Sequence, residues 1–368
     1  MEDLVVGGGH FIDSKTVNFR ARTYGCRMGA FVGDAGGSYL EFLETKITDE
    51  LVDAALEFEG GGVLETVPGQ ITDDSELATW LMLGILDFDE GSLQKCIAKR
   101  YVDWFNSDPI DIGTTTSNAL SILNNYFEYK EVGFTKSVKD IGVKNYKSKS
   151  NGCLMRITPL AVYVNKLDDK EIQEYTKMDL SLTHSNRIWL YATTAYNIAI
   201  AHLLNYYNDS RGAIKRVHKY LKSLHEDTKD SDEKLPADLK KSWERAMFAK
   251  SERNLIPAHK DIGHIMIAFE YAFFYLKNNI KYEEAIRRML KQGGDTDTNA
   301  AIVGGLLGAR YGINGIPKEW RNAVLNAAPD RPEWLVPQNA ENFFGQIDRL
   351  IEKSKKDCPK KSYQQDLI

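Results

Sequence analysis

The segment GGDTDTNAAIVGGLLGARYG, residues 293–312, decides the fold that we expect. Its apolar residues have helical spacing, but glycine interrupts them three times, and each glycine inside a helix costs about 1 kcal/mol relative to alanine. Ala300, Gly304 and Gly308 recur every four residues, so they share one face of the helix. Such a face predicts that another backbone packs closely against it, which would hold the acidic start of the helix, Asp295–Thr298, in place.

A second apolar helix begins in the same way, in ITDDSELATWLMLGIL at residues 71–86. One aspartate at a helix start is ordinary, because it accepts hydrogen bonds from the first free N–H groups and suits the helix dipole. Asp73 and Glu76 have the spacing of a capping box, and Asp295 or Asp297 is an equally ordinary N-cap. These local roles explain one aspartate in each cluster and leave the others without a role.

The surplus carboxylates indicate a metal site. Four carboxylates in one place would repel each other and raise their pKa values, and a divalent cation removes this conflict. Ligands that offer only oxygen suit a hard ion, so we expect Mg²⁺ or Mn²⁺, with Ca²⁺ as an alternative. An aspartate shared between two ions would produce a two-metal site with a separation of about 3.5–4 Å.

The composition argues against several other classes of protein. The chain has 368 residues, of which 43% are hydrophobic, and a net charge of −5. A mildly acidic chain without a basic block is not expected to bind nucleic acid. Its four cysteines form no CxxC pair, so neither a zinc site nor a disulfide framework is expected. Without an apolar run long enough for a membrane span, we expect no membrane partner and a cytoplasmic, monomeric protein.

The rest of the chain predicts one helix after another, and few stretches alternate as strands do. We therefore expect an all-α fold, a single multi-helix bundle over residues 21–351, with the almost wholly apolar segment 262–280 in its middle. The charged stretch 225–236 predicts an exposed loop, residues 1–20 a flexible N-terminal arm and residues 352–368 a polar C-terminal tail. The predicted helices cover residues 24–42, 49–58, 75–87, 91–106, 115–129, 170–179, 186–207, 211–225, 262–278, 282–291 and 298–311.

Four further motifs accompany the two acidic clusters. They are GAFVGDAGGSYLEF (29–42), DIGTTTSNAL (111–120), SNGCLMRITPLAV (150–162) and LTHSN (182–186). Together, and in this order, they resemble the ADP-ribosylglycohydrolase family, which includes dinitrogenase-reductase-activating glycohydrolase and the ADP-ribosyl-acceptor hydrolases. The resemblance spans about residues 24–315. It implies an all-α enzyme with a two-metal centre that removes ADP-ribose from modified protein side chains by hydrolysis at ribose C1.

The resemblance also implies roles for individual residues. One ion would be held by Thr72, Asp73, Asp74 and Asp297. The other would be held by Asp295, Asp297 and Thr298, so that Asp297 bridges the pair. Glu41 matches a glutamate near the second ion and Asp111 an aspartate that contacts the ribose, and these two with Asp295 are the candidate catalytic groups for proton transfer. The substrate diphosphate would be bound by the backbone of Gly113, Asn151 and Gly152, with His184 lining the same cleft.

Taken singly, some of these residues have simpler explanations. Glu41 alone predicts an exposed helix residue. His184, which stands two residues before Asn186, predicts a cap on the next helix. Asn151 and Gly152 form an ordinary turn dipeptide. The motifs therefore carry the functional interpretation only in combination.

The stretches DAGGSYLEF and GQITDDSELA look closer to the bacterial arginine-type enzyme than to the vertebrate arginine-type one, so ADP-ribosyl-arginine is the favoured substrate. Glu41 also fits the serine-type and O-acetyl-ADP-ribose hydrolases. Two alternatives from other classes stay open. One is a catalytically silent ADP-ribose-binding or structural member of the family, and the other is a metal-dependent phosphohydrolase that would release AMP. The expected partner is an ADP-ribosylated protein or a small ADP-ribose conjugate.

Overall fold

The computed structural model shows a bundle of α-helices. It describes residues 14–43, 45–130, 132–226, 235–331 and 340–359. Within these ranges there are sixteen α-helices and no β-strand, only two isolated bridges, so the predicted all-α class is confirmed. The helices are α1 (Ser14–Ser38), α2 (Asp49–Ala55), α3 (Asp73–Leu86), α4 (Leu93–Phe105), α5 (Thr114–Tyr129), α6 (Phe134–Lys144), α7 (Thr158–Tyr163), α8 (Asp169–Leu180), α9 (Arg187–Asn205), α10 (Ser210–Glu226), α11 (Ala237–Phe248), α12 (Ile265–Lys277), α13 (Tyr282–Leu290), α14 (Thr296–Tyr311), α15 (Lys318–Leu325) and α16 (Ala340–Asp357).

Helices α1 and α14 pack antiparallel with their backbones in direct contact, along a surface that we call the glycine seam. The α1 side of the seam is a row of glycines four residues apart: Gly25, Gly29, Gly33 and Gly37. A Cβ atom at Gly29 would lie 2.3 Å from the carbonyl oxygen of Gly304, and one at Gly33 would lie 2.2 Å from that of Ala300. No side chain fits at these separations, so the close approach predicted from residues 293–312 is confirmed, and its partner is α1.

The glycine seam places the start of α14 against the end of α1. Thr296 Oγ1 donates a hydrogen bond to the carbonyl oxygen of Gly37 at 2.8 Å, and a Cβ atom at Gly37 would lie 2.3 Å from Asp297 Cα. Tyr282 of α13 closes the seam farther along, where its hydroxyl donates to the Gly29 carbonyl oxygen at 2.7 Å. The acidic first turn of α14 is thereby fixed relative to α1.

Helix α12 lies within the core of the bundle, as the apolar segment 262–280 predicts. Every residue from Ile265 to Leu276 is buried, including Glu270. The Glu270 carboxylate accepts hydrogen bonds from Arg245 Nε at 2.8 Å and from the Ile256 N–H at 3.0 Å. These partners offset the cost of burying a charge inside an apolar helix.

Some helices and boundaries differ from the prediction. The helices without a predicted counterpart are α6, α7, α11, α15 and α16. Helix α7 has six residues, all buried, which is too short for a helical period to appear. Helix α1 ends at Ser38 and not near residue 42, because the chain turns away there and reaches Phe42 with a left-handed φ of 58°.

The division of the chain into a folded domain with terminal arms stays a prediction. Residues 1–13, 227–234 and 360–368, which hold most of the predicted arm, exposed loop and tail, lie outside the described part of the chain. Helix α1 begins at Ser14 and α16 reaches Asp357, so both extend into the segments predicted as arm and tail. Among the described helices, none combines the length and apolar content that a membrane span requires.

Candidate active site and metal centre

The buried carboxylate of Asp34, on α1, caps the start of α3. Its two oxygens accept hydrogen bonds from the Thr72 backbone N–H at 2.9 and 3.1 Å, and one also accepts from Thr72 Oγ1 at 2.8 Å. The Ser75 N–H donates to the same carboxylate at 3.1 Å. A carboxylate from another helix therefore satisfies N–H groups that α3 would otherwise leave free at its N-terminus.

The capping box predicted from Asp73 and Glu76 is wrong. Thr72 is the N-cap residue, and Asp73 is already the first residue of α3. Glu76 has other partners, since its Oε2 accepts from Trp104 Nε1 at 2.7 Å and both of its oxygens accept from Arg331. Because Asp34 supplies the cap, the aspartates of α3 are not needed for it.

The first turns of α3 and α14 meet, although they are far apart in sequence. Asp74 Oδ2 lies 3.2 Å from Thr72 Oγ1, whose hydrogen is shared with the closer Asp34, and it accepts a hydrogen bond from Thr298 Oγ1 at 3.4 Å. Asp295 is the N-cap residue of α14 by position, but its side chain makes no capping hydrogen bond. The structure thus brings the two acidic clusters into one place.

Five buried carboxylates form two overlapping groups, which we call the first and second triads. The first triad is Asp34, Asp74 and Asp297, and the second triad is Glu41, Asp295 and Asp297. Within each triad, one oxygen of every carboxylate lies within 4.8 Å of the others. Asp297 belongs to both triads, whereas Asp73 is buried beside them and belongs to neither.

Burial raises the pKa values of Asp34, Glu41, Asp73, Asp74 and Asp297. The pKa of Asp34 rises to about 6. The pKa of Glu41 rises to about 8, because the charges of Asp295 and Asp111 add to the effect of burial. Burial and neighbouring charges raise three other pKa values well above the ordinary range, those of Asp73, Asp74 and Asp297. Without a positive charge nearby, the site would therefore hold protons at neutral pH.

Two carboxylate oxygens in the triads lack a protein partner. Asp74 Oδ1 and Glu41 Oε2 are buried, and no described residue donates a hydrogen bond to either. A buried acceptor without a donor costs about 1–3 kcal/mol, and more when it is charged. A divalent cation would supply what both atoms lack, so the triads fit a hard metal ion that prefers oxygen ligands.

Glu41 reaches the second triad from the turn that follows α1. The Leu40 N–H donates to the Gly37 carbonyl oxygen at 3.0 Å, and the Glu41 N–H donates to that of Ser38 at 3.4 Å. Glu41 is only 5% exposed. The interpretation of Glu41 as an exposed helix residue is therefore wrong, and the turn directs its side chain into the site.

The loop of Asn151 and Gly152 approaches the second triad from another side. Asn151 Nδ2 donates to Asp295 Oδ2 at 2.7 Å, and the Asn151 N–H donates to the Gly263 carbonyl oxygen at 2.8 Å. Arg156 supports the loop from within the core, where its Nη1 donates to the Gly152 carbonyl oxygen at 3.0 Å. Asn151 thus has a direct contact with an acidic side chain of the site in addition to its place in a turn.

His184 lies under this loop with both ring nitrogens in hydrogen bonds. Its Nε2 pairs with Ser150 Oγ at 2.9 Å, and its Nδ1 pairs with Thr183 Oγ1 at 2.7 Å. Burial, together with the charge of Arg156, lowers the pKa of His184 well below its usual value, so the imidazole is neutral. The structure places His184 as a support for the loop, and α9 is capped by Asn186.

Gly113 and Asp111 lie at the start of α5. Gly113 is the exposed N-cap residue, and a Cβ atom there would meet no atom within 4 Å. The first turn of α5 has no side-chain cap, and such a helix start suits an anion like phosphate. Burial, with a smaller contribution from the charge of Asp295, raises the pKa of Asp111.

The family model described as ADP-ribosylglycohydrolase matches residues 15–359 of the chain, nearly its whole length. The chain belongs to the ADP-ribosylglycohydrolase family. The resemblance inferred from the motifs is thereby confirmed. The assignment of the chain to the hydrolase enzymes is confirmed as well, because its relatives are named as glycohydrolases.

Relatives of this ADP-ribosylglycohydrolase family member include viral and bacterial proteins. A protein of Acanthamoeba polyphaga mimivirus, described as an ADP-ribosyl glycohydrolase, is 32% identical over 84% of this chain and 92% of its own length. The ADP-ribosyl-dinitrogen reductase glycohydrolase of Rhodospirillum rubrum is 24% identical over 81% and 88%. The ADP-ribosylarginine hydrolase Tri1 of Pseudomonas putida is 25% identical over 82% and 74%.

A solved structure described as an ADP-ribosylglycohydrolase-related protein complex has the same fold. Its TM-score with this chain is 0.68 at 23% identity, and the match covers 92% of this chain and 99% of that one. This likeness extends over nearly all of both chains. The comparison of structures therefore confirms, independently of the family model, that the chain has the all-α fold of the ADP-ribosylglycohydrolase family.

Two residues inside the ADP-ribosylglycohydrolase motifs were not predicted to act at the site. Asp34 stands in GDAGG and Arg156 in NGCLMR. Arg156 is fully buried, and its Nη2 pairs with Asp179 at 3.1 Å. Their positions in the motifs indicated that both residues matter. Their partners are distant in sequence, however: Thr72 lies 38 residues from Asp34, and Asp179 lies 23 residues from Arg156. The motifs alone therefore do not predict these contacts.

Proposed function

We propose that this protein hydrolyses the bond at ribose C1 in ADP-ribosylated proteins, with a preference for modified arginine side chains. The observation that supports the proposal most is the shared carboxylate of Asp297. Two triads of buried carboxylates meet there, beside a loop and a helix start that suit the diphosphate of ADP-ribose. Proteins seldom bury this many carboxylates together unless the carboxylates bind a metal or take part in catalysis.

The substrate would lie between the triads and the start of α5. The N–H groups near Gly113 and that of Gly152 would bind the diphosphate, while His184 supports this loop. The Asn151 N–H, predicted to take part, already donates to the Gly263 carbonyl oxygen, so Asn151 would act through its side chain. The distal ribose would then lie over the second triad. This arrangement would place ribose C1 near Glu41 and Asp295.

We propose that two divalent ions, Mg²⁺ or Mn²⁺, bind where the triads meet, held by some of the triad carboxylates and by the adjoining Thr72, Asp73 and Thr298. The ligands to one would be Thr72, Asp73, Asp74 and Asp297, and those to the other Asp295, Asp297 and Thr298. Asp34 already accepts hydrogen bonds from three donor groups, two of Thr72 and one of Ser75, so its role would be to hold the first turn of α3 in position. When bound, such ions orient the hydroxyl groups of a ribose and lower the pKa of a water molecule.

Side chains of the protein would perform the proton transfers. Glu41 and Asp295 share the second triad, so either can accept a proton from the attacking water. Asp111 would act on the ribose side, and the charge of Asp295 helps to raise the pKa of its carboxyl group. If Glu41→Gln and Asp111→Ala both retain full turnover, these assignments are wrong.

Arginine is favoured as the acceptor for two reasons. The carboxyl groups of Glu41, Asp111 and Asp295 make this part of the site acidic, which suits a leaving group that carries a guanidinium. One relative is named as an ADP-ribosylarginine hydrolase. The described chain supplies every group in this proposal, so a monomer suffices, and nucleic acid has no part in it.

Release of ADP-ribose from arginine-modified and serine-modified peptides tests the proposal. We expect turnover with Mg²⁺ or Mn²⁺, its loss after addition of EDTA, and a kcat/KM at least about tenfold higher for arginine, which corresponds to about 1.4 kcal/mol. A reversed preference would assign the enzyme to serine, with O-acetyl-ADP-ribose as a third substrate to compare. Production of AMP would indicate a phosphohydrolase, and ADP-ribose binding without turnover would indicate a silent binding protein.

A further inference from the structure

A buried arginine that lies outside all of the motifs joins two parts of the candidate site. The side chain of Arg331 is 5% exposed, and it uses all five N–H groups of its guanidinium. Two hydrogen bonds go to the two oxygens of Glu76 on α3, each at 2.8 Å. The other three go to Ser107 Oγ at 3.0 Å and to the carbonyl oxygens of Ser107 and Asp108 at 2.7 Å.

The residues that Arg331 contacts on both sides are close in sequence to residues of the site. Glu76 follows Asp74 by two positions in α3. Ser107 and Asp108 begin the segment 107–113, which carries Asp111 and ends at the start of α5. Asp108 has a left-handed φ of 55°, and Arg331 donates to its carbonyl oxygen at this turn.

We propose that Arg331 is a positioning residue, which holds segment 107–113 against α3 and thereby sets the position of Asp111 relative to the two triads. Glu76 is a firm anchor, because Trp104 Nε1 also donates to its Oε2 at 2.7 Å. Loss of the guanidinium would therefore release the segment and leave α3 in place. The inference rests on the proposed function, since Arg331 acts on the reaction through Asp111.

A double-mutant cycle separates positioning from stability. In Arg331→Met, which removes all five donors, we expect kcat to fall about tenfold, and we expect a change of less than about twofold when the same substitution is added to Asp111→Ala. Equal losses in both backgrounds would show a purely structural role and overturn the inference. Arg331→Lys keeps a charge beside Glu76 but lacks the planar fork, so it gives the same comparison if the methionine variant does not fold.

Arg310→Met is a matched control. Arg310 is also buried, and it donates to the side chains of Asn208 at 2.9 Å and Asn279 at 2.7 Å. It lies at the opposite end of α14 from Asp295. We expect this variant to lose thermal stability and to keep kcat within about twofold of the wild-type value.

Hydrogen exchange tests the inference without turnover. In Arg331→Met, two hydrogen-bonded amides at the ends of the segment should exchange at least about tenfold faster, while those at the start of α3 keep their rates. They are the Ser107 N–H, which donates to the Trp104 carbonyl oxygen, and the Ser117 N–H, which donates to that of Gly113. Unchanged exchange at both amides would overturn the inference even in an active enzyme. A wild-type protein without turnover on any ADP-ribose conjugate would contradict the proposed function, and the exchange result would still decide the role of Arg331.

Discussion

At the scale of single residues, Asp297 connects the two triads. Its carboxyl group is almost completely buried, and burial followed by the charges of Glu41 and Asp74 raises its pKa well above the ordinary range. A carboxyl group in such surroundings ionises at neutral pH only when a positive charge is close. Ionisation of Asp297 therefore requires the proposed cations, and binding of the cations requires the negative charge of Asp297.

Asp297→Asn should abolish most of the activity and leave the fold intact, because an amide of the same size cannot balance two cations. We expect kcat/KM to fall at least about 100-fold, which corresponds to about 2.7 kcal/mol, and the thermal shift on adding Mg²⁺ to disappear. The control is Asp89→Asn, whose side chain is 86% exposed, and which should behave as wild type. Retention of the Mg²⁺ shift in Asp297→Asn would count against a shared ligand.

Motif positions identified most residues around the site but not the contacts between them. The convergence of the clusters at Asp74 and Asp297 followed from having more carboxylates than two helix caps can use. The roles of Asp34 and Arg331 were not predicted. Each acts through a partner in a distant part of the chain, Thr72 for the first and Glu76 for the second, and no local spacing indicates such a pair.

At the scale of elements, the glycine seam determines where α14 begins relative to α1. Glycine appears on both helices because the carbonyl oxygens of one occupy the space that the Cβ atoms of the other would need. The four-residue spacing of small residues in α14 predicts close packing from the sequence. The same spacing occurs in α1 from Gly25 to Gly37, but we interpreted Gly29, Gly33 and Gly37 only as part of the motif GAFVGDAGGSYLEF. Close packing of this kind offsets the helix propensity that each glycine loses.

Gly33→Ala should destabilise the protein by about 3 kcal/mol, at the upper end of what one added methyl group costs in a packed core. The added Cβ atom would lie 2.2 Å from the Ala300 carbonyl oxygen, so the helices must separate. The matched control is Gly345→Ala on α16, where a Cβ atom meets nothing within 4 Å. It should stabilise the protein by about 0.4–1 kcal/mol. Urea denaturation measures both changes, and equal signs would contradict the packing argument.

Helix prediction succeeded where elements are long and apolar and failed where they are short. Helices α12 and α14 are long and mostly apolar, so their sequences predict them as helices. Helix α7 is too short to show a period, and it is helical because the surrounding core buries all six of its residues. Tertiary packing, which spacing along the chain does not reveal, therefore decides such elements.

At the scale of the whole molecule, stability should depend on pH and metal together. In the metal-free protein the pKa of Asp34 is raised to about 6 and that of Glu41 to about 8, from ordinary values of about 4. Folding therefore favours their protonated forms. The resulting stability is fully present below about pH 4, and it is lost as the pH rises through about 6 and then about 8.

We therefore expect the metal-free protein to have a higher Tm at pH 5 than at pH 8. Mg²⁺ competes with protons for the same oxygens, so it should raise Tm more at pH 8 than at pH 5. Thermal unfolding with EDTA and with MgCl₂ at both pH values measures this difference. A Mg²⁺ effect that is equal at the two pH values, or larger at pH 5, would contradict it.

The glycine seam has a consequence for the order in which the protein is made. Thr296 follows Gly37 by 259 residues, so α1 leaves the ribosome long before the helix that covers it has been translated. Until α14 has been made, the backbone peptide groups on the glycine face of α1 are uncovered. A polypeptide released before α14 would leave that face uncovered and would lack Asp295 and Asp297, two of the five triad carboxylates, so an incomplete translation product could neither finish its core nor assemble the centre.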